Sequence, residues 1–179
     1  MRAEDLILVS VDDHVVEPPD MWDGRLPARW KDRAPRLVHK ADGTDVWVFE
    51  GQQIPNIGLN AVAGRPPEEY GMEPTSLAQL REGNYDIHRR IDDMNAAGIL
   101  GSMCFASMTG FCGELFGRQP DKELARVMIQ AYNDWHIDTW CGTYPGRFIP
   151  LALPMLWDPK LMADEIRRAA RKGCHAMCF

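Results

Sequence analysis

The sequence predicts an α/β fold in which parallel strands are covered by helices. Three observations carry that reading. Short apolar runs of strand length occur at 6–11, 99–105, 147–153 and 174–179. Segments with helical periodicity and acidic starts precede each of the last three. Strands and helices therefore alternate, as in β-α-β units. Two architectures satisfy the pattern, an eight-fold barrel and a doubly wound open sheet. Neither G-x-G-x-x-G nor a P-loop follows any strand, which argues against a nucleotide-binding sheet.

The first run, 6–11, is almost wholly apolar and reads as a strand buried on both faces. It turns polar abruptly at Asp12-Asp13-His14. Successive strand side chains point to opposite faces, so Asp12 and His14 share one face and Asp13 takes the other. At that spacing the two backbones are about 6–7 Å apart, a gap that a carboxylate and an imidazole can close around one metal ion. The same triplet also describes a solvated strand end with an ordinary hydrogen-bonded histidine. Pro18-Pro19 forbids further helix or ladder, so the polar end opens into a loop. The C-terminal end of a barrel strand is where barrel enzymes place their chemistry. Glu17 is the one catalytic candidate in this segment, and the alternative for it is a surface loop residue before the double proline.

Behind the prolines, 21–34 reads as a short helical turn and loop. Runs at 36–39 and 45–49 flank Asp42-Gly43, a hairpin signal, and Glu50-Gly51 offers a second turn before 52–54. This is a small antiparallel meander inserted after the first strand. The stretch 55–83 is rich in Gly, Pro and Asn, and a loop of that length is normally functional or disordered. It is expected over the strand C-termini, where Asn56, Asn60 and Arg65 would come within reach of substrate. The whole insertion covers 35–84.

From Asp86 the pattern becomes regular. Asp86 caps a helix with Ile87, Ile91 and Met94 on its buried face, Arg89 and Asp93 as an i, i+4 pair, and Gly98 as the stop. The strand 99–105 follows, then a glycine-rich loop over 106–119. Asp121 opens a long helix with Leu124, Val127, Met128, Ala131 and Trp135 along one stripe. Asp158 and Pro159 start the last helix, with Leu161, Met162, Ile166 and Ala170 as its buried face and Asp164 and Arg168 as a pair. Asn133 and Asp134 are expected to tie their helix to a neighbouring loop, and Trp135 and Trp140 to pack. His39 has no role in this reading, and His88 lies on an exposed helix side. His136 is structural, and His175, near the start of its strand, is packed or hydrogen-bonded.

Composition bounds the function. The chain has 179 residues, 45% hydrophobic and 26% charged, with six tryptophans, enough apolar mass for a single domain over 1–179. A net charge of −6 with no Lys/Arg block argues against a nucleic-acid partner. No apolar run approaches a membrane span; the longest, 149–157, is interrupted by Pro150 and Pro154. The N-terminus carries Glu4 and Asp5 and no signal-peptide pattern. The five cysteines are odd in number and without framework spacing, so they read as free thiols in a reducing cytoplasm. On one strand Cys174 and Cys178 would lie about 13 Å apart, too far for a disulfide or a shared metal.

Several segments taken together resemble the amidohydrolase-related metal-dependent hydrolases (amidohydrolase 2), which include aminocarboxymuconate semialdehyde decarboxylase and related aromatic-acid decarboxylases. The resemblance rests on Val11-Asp12-Asp13-His14-Val15-Val16-Glu17-Pro18, on Val48-Phe49-Glu50-Gly51, and on Arg90-Ile91-Asp92-Asp93-Met94 followed by Gly98. It continues in Ala131-Tyr132-Asn133-Asp134-Trp135 and Pro145-Gly146-Arg147-Phe148. It covers nearly the whole chain and implies the N-terminal half of a (β/α)8 TIM barrel, about four strands, with the meander inserted after strand 1.

The resemblance also implies a divalent metal, most often Zn²⁺, held by Asp12 and His14, which match the family's paired first-strand ligands. The family's remaining ligands, a His and an Asp, and most of its acid–base residues come from the second half of its barrel. The function so implied is a metal-dependent hydrolase or carboxy-lyase acting on a small carboxylate- or amide-type substrate. The rival is a noncatalytic half-barrel that self-associates or binds partners through open edges. Four barrel strands do not close, and a full barrel needs about 250 residues. The chain is therefore expected to be a fragment with an uncovered fourth strand, prone to self-association, weak in zinc binding and inactive alone.

Overall fold

The computed structural model describes residues 2, 5–55, 57, 58, 61–71 and 73–179. In chain order its strands and helices are β1 (Leu8–Val15), β2 (Arg36–His39), β3 (Asp45–Phe49), β4 (Gln52–Ile54), α1 (Ile87–Ala96) and β5 (Ile99–Ala106). They continue with α2 (Glu114–Gly117), α3 (Lys122–Trp135), β6 (Leu151–Ala152), α4 (Pro159–Arg171) and β7 (Ala176–Met177). α3 runs on through a wider turn over His136–Cys141.

β1 pairs in parallel with β5, and β6 pairs in parallel with β7. A parallel bridge between Ser102 and Phe148 joins the two pairs, with Ser102 N donating to Arg147 O at 3.0 Å and Ile149 N to Ser102 O at 2.9 Å. The spatial order is β1-β5-β6-β7, all parallel and not closed into a barrel. The β-α-β alternation follows from helix caps at the predicted residues. The Asp86 side chain accepts from His88 N and Arg89 N, Asp121 from Leu124 N, and Asp158 from Lys160 N and Leu161 N. Each cap satisfies backbone donors that the first helical turn leaves unpaired.

The insertion forms a three-stranded antiparallel sheet in the order β2-β3-β4. Its second turn is the two-residue Glu50-Gly51, with φ of 47° and 78°. Two positive values suit a hairpin turn whose twist matches its strands. β3 buries Val46, Trp47 and Phe49. Phe49 meets Phe116 of α2 edge-on at 5.5 Å, and Trp22 meets the same ring at 5.9 Å. The meander thus shares the main core, which continues through Leu124, Met128, Ala131 and Trp135 of α3.

Several expectations are corrected. The run 6–11 is not buried on both faces: Ile7 is 73% exposed and Val11 60% exposed. Among the described residues β1 pairs with β5 alone, and these side chains stay exposed to water. Asp93 pairs with Arg81 instead of Arg89, and Asp164 pairs with Lys160 and Arg167 instead of Arg168. Arg168 instead reaches Glu165 and Asp134. On α4 the fully buried positions are Glu165 and Ala169, with Leu161, Met162, Ile166 and Ala170 half-buried. A glutamate can hold that position because Arg168 and Asn133 satisfy it, at 2.7 and 2.8 Å. The loop 55–83 does not simply roof the strand ends. Gly58 packs on Val16 and Leu80, while Ala63 and Gly64 border a hollow with Asp13 and Ile99 beside β1.

Candidate functional site

β1 departs from regular pairing between Ser10 and Asp13, where three residue steps on β1 face two on β5. This is a bulge, a device that re-aims side chains near strand ends. Asp13 fixes it: its carboxylate accepts from Ser10 Oγ at 2.7 Å and from Ser102 Oγ. Asp12 and His14 are both exposed, and both line a cavity of about 680 Å³ at the C-terminal ends of the parallel strands. Phe105, Ser107, Cys112, Leu153 and Cys178 form much of the remaining wall. The His14 ring lies 5.9 Å from that of Phe105. Asp12 and His14 therefore share one space, and Asp13 is engaged elsewhere.

The backbone under His14 is clamped from α1. Arg90 Nη2 donates to His14 O at 2.6 Å, and Arg90 Nε to Gly83 O at 2.7 Å. The guanidinium carbon stands 5.8 Å from the centre of the Trp140 ring. Trp140 thus does more than fill the core, and Arg90 is a positioning residue that the sequence reading did not single out.

Glu17 is fully buried, not a surface loop residue. Its carboxylate accepts from Ser107 N at 3.0 Å and Met108 N at 2.8 Å. It so fixes the loop after β5, whose Ser107 and Met108 line the cavity. Burial pushes its pKa up to about 7, opposed by the backbone N–H donors of Met108 and Ser107. Glu17 is not among the residues lining the cavity. The feature that marks it in the sequence is the loop it organises, and that contact spans some ninety positions.

The other expected residues lie apart from this cavity. Asn56 and Asn60 fall outside the described residues. Arg65 donates to Gln79 O at 3.3 Å. His175 is exposed at the start of β7 instead of packed. His39 bonds Asp45, and His88 bonds the Tyr144 hydroxyl at 2.8 Å. His136 is completely buried and stacks on Tyr132 at 5.8 Å, and burial lowers its pKa to about 4. Asn133 does tie its helix to a loop: Leu153 N donates to Oδ1 at 2.7 Å and Nδ2 donates to Leu153 O at 3.0 Å. Asp134 ties α3 to α4 through Arg168 and Lys172.

The donor set suits a divalent ion in kind, one carboxylate and one imidazole facing a shared cavity. In number it falls short. Among the described residues no group of three or more His, Cys, Asp or Glu side chains is gathered to hold a metal ion. Asp12 and His14 fit part of a ligand set. Among the described residues no helix is long and apolar enough to cross a membrane.

No protein-family model matches the chain, and no curated protein matches it. Solved structures do share the fold. A crystal structure of an amidohydrolase from Mycobacterium avium subsp. paratuberculosis K-10 superposes with a TM-score of 0.68 at 18% sequence identity. The alignment covers 95% of this chain and 48% of that one, so the chain spans about half the length of its structural neighbour. At that identity the likeness is one of fold: the open parallel sheet and its helices are arranged as in part of an amidohydrolase.

Proposed function

We propose that the chain is the metal-bearing N-terminal part of a hydrolase-type enzyme of the amidohydrolase kind, with Asp12 and His14 as two ligands of a divalent ion, most simply Zn²⁺. The observation that carries this reading is their shared exposure to one largely apolar cavity at the C-terminal ends of parallel strands. The further ligands belong to strands beyond the four described here. When bound, such an ion polarises a substrate oxygen or lowers the pKa of a water, which serves hydrolysis or the loss of CO₂ from a small carboxylate- or amide-type substrate.

The residues of this chain hold and shape that site. Asp13 and the serine pair set the bulge that aims Asp12 and His14. Arg90 holds the His14 carbonyl, and Glu17 holds the loop over the cavity. Phe105, Leu153 and Met108 supply the apolar wall that would exclude water from a small substrate.

The test is the zinc content of the purified chain, by elemental analysis. Asp12→Ala and His14→Ala are expected to lower bound zinc without unfolding the chain, since both side chains are exposed. Unchanged metal content in both variants would remove them from the site.

A second reading has its own observation. Leu8, Val9 and Val11 leave an apolar stretch of β1 exposed. In that reading the chain is a half-barrel that binds other copies or partners through its edges. Zinc binding that depends on Asp12 and His14 favours the first reading, and association without such binding favours the second.

A further inference from the structure

The cavity wall holds a pair of thiols that the proposed metal site does not use. Cys112, in the loop after β5, and Cys178, directly after β7, approach with their sulfurs 3.4 Å apart. Both are nearly buried, and both line the cavity shared with Asp12 and His14. All five cysteines are free. Cys174, the partner that sequence proximity would suggest for Cys178, donates instead to Pro150 O and Ala176 O.

The loop is bent to present this thiol. Cys112 has φ 54°, and its neighbours Gly110 and Gly113 have φ 70° and 74°. Glycine adopts that conformation freely, whereas a cysteine there is a strained exception held by its surroundings. The strain places Sγ against Cys178, within about 1.4 Å of the closure needed for a bond of ~2.05 Å.

We propose that Cys112 and Cys178 are a modification site, a thiol pair that a small hydroperoxide entering the cavity converts to a reversible disulfide. One thiol is first oxidised to a sulfenic acid: its S–H and the peroxide O–O bond break, an S–O bond forms, and one water (or alcohol) leaves. The second thiol then attacks that sulfur: its S–H and the S–O bond break, the S–S bond forms, and a second water leaves. The two sulfurs together lose two electrons and the peroxide oxygens gain them. The product ties the loop carrying Phe111 to the residue that follows β7. Burial pushes the Cys112 thiol up to about 12, so the thiolate is scarce at neutral pH and the reaction is driven best at alkaline pH.

The experiment treats the purified, folded chain at pH 8.5–9 with equimolar hydrogen peroxide, and the intact mass checks that the methionines needed for cleavage stay unoxidised. Remaining thiols are then blocked, and the protein is cleaved at methionine with cyanogen bromide. Cleavage after Met108, Met128 and Met177 isolates Cys112 from Cys104 and Cys178 from Cys174. The expected result is loss of two of the five thiols, with fragment 109–128 joined to the fragment that begins at Cys178. Dithiothreitol should restore all of them. Cys112→Ser and Cys178→Ser should each abolish the joined fragment. Thiol loss without that fragment, or a joined fragment involving Cys104, Cys141 or Cys174 instead, would overturn the proposal.

Discussion

The guanidinium of Arg90 reaches across from α1 and donates to the carbonyl oxygen of His14 at 2.6 Å. The same group holds Gly83 O and lies near the face of Trp140. A helix residue thus sets the backbone from which an exposed imidazole projects. Replacing Arg90 with Ala leaves two acceptors without this donor and is expected to cost about 2–3 kcal/mol, read from the urea midpoint. Lys cannot form the planar two-acceptor fork and should recover less than half of that loss. A stability equal to wild type in Arg90→Ala would show that the clamp is not used.

Glu17 and His136 give stability two opposed dependences on pH. The Glu17 pKa is raised by burial from its ordinary 4.5 to about 7. Its contribution is present in full below pH 4.5 and is lost as pH rises through 7, by roughly 3 kcal/mol. The His136 pKa is lowered by burial from 6.5 to about 4. Its contribution is present above 6.5 and is lost as pH falls through 4, by a similar amount, roughly 3 kcal/mol. The two windows overlap and offset each other in the wild type, so Glu17→Gln should leave a stability that falls toward acid. His136→Phe, which keeps an aromatic ring on Tyr132, should leave one that falls as pH rises from 4.5 to 7. Denaturant melts from pH 4 to 8 in both variants check this, and a profile unchanged by either substitution contradicts it.

Asn133 is wholly buried and joins Leu153 of the strand layer to Glu165 of α4. Asn133→Ala leaves the Leu153 N–H without its acceptor and takes from Glu165 Oε1 one of its two donors, Arg168 remaining, and is expected to lower stability by about 2–3 kcal/mol. A double-mutant cycle with Glu165→Gln should show coupling of at least about 0.5 kcal/mol, because the two side chains share a bond. Strict additivity would mean that the contact contributes nothing.

The bare face of β1 predicts association. Leu8, Val9 and Val11 are exposed along a strand with one free edge, and such strands pair with other chains. Light scattering is expected to show species larger than a monomer, and Val11→Lys should shift the population toward monomer. Phe179, 67% exposed beside β7, adds a second apolar site at the other edge.

What the sequence makes legible is local. Asp86, Asp121 and Asp158 cap the helices they announce, and Glu50-Gly51 makes its turn, because capping and turn chemistry act within a few residues. The shared face of Asp12 and His14 follows from strand alternation, although the bulge after Ser10 that aims them depends on Ser102, far along the chain. Partners that depend on tertiary approach were not legible. Asp93 has Arg89 one turn away and takes Arg81 instead, since Arg81 enters from the loop with both nitrogens toward it. Glu17 precedes two prolines and looks like a loop residue, yet the amides of Ser107 and Met108 draw it into the core. The burial expected for 6–11 presumes neighbours on both sides of β1, and the described strands supply one.

In the proposed reading Asp12 and His14 bind a divalent ion together as an incomplete ligand pair. Zinc titration of the folded chain, followed through the imidazole signals of its five histidines by NMR, tests it most directly. The His14 signal is expected to move first, with weak affinity in the micromolar range or above, and Asp12→Ala to weaken the response about tenfold or more. His39, His88, His136 and His175 should stay in place over the same range. A His14 signal that does not respond to zinc, or one that responds equally in Asp12→Ala, would contradict the claim.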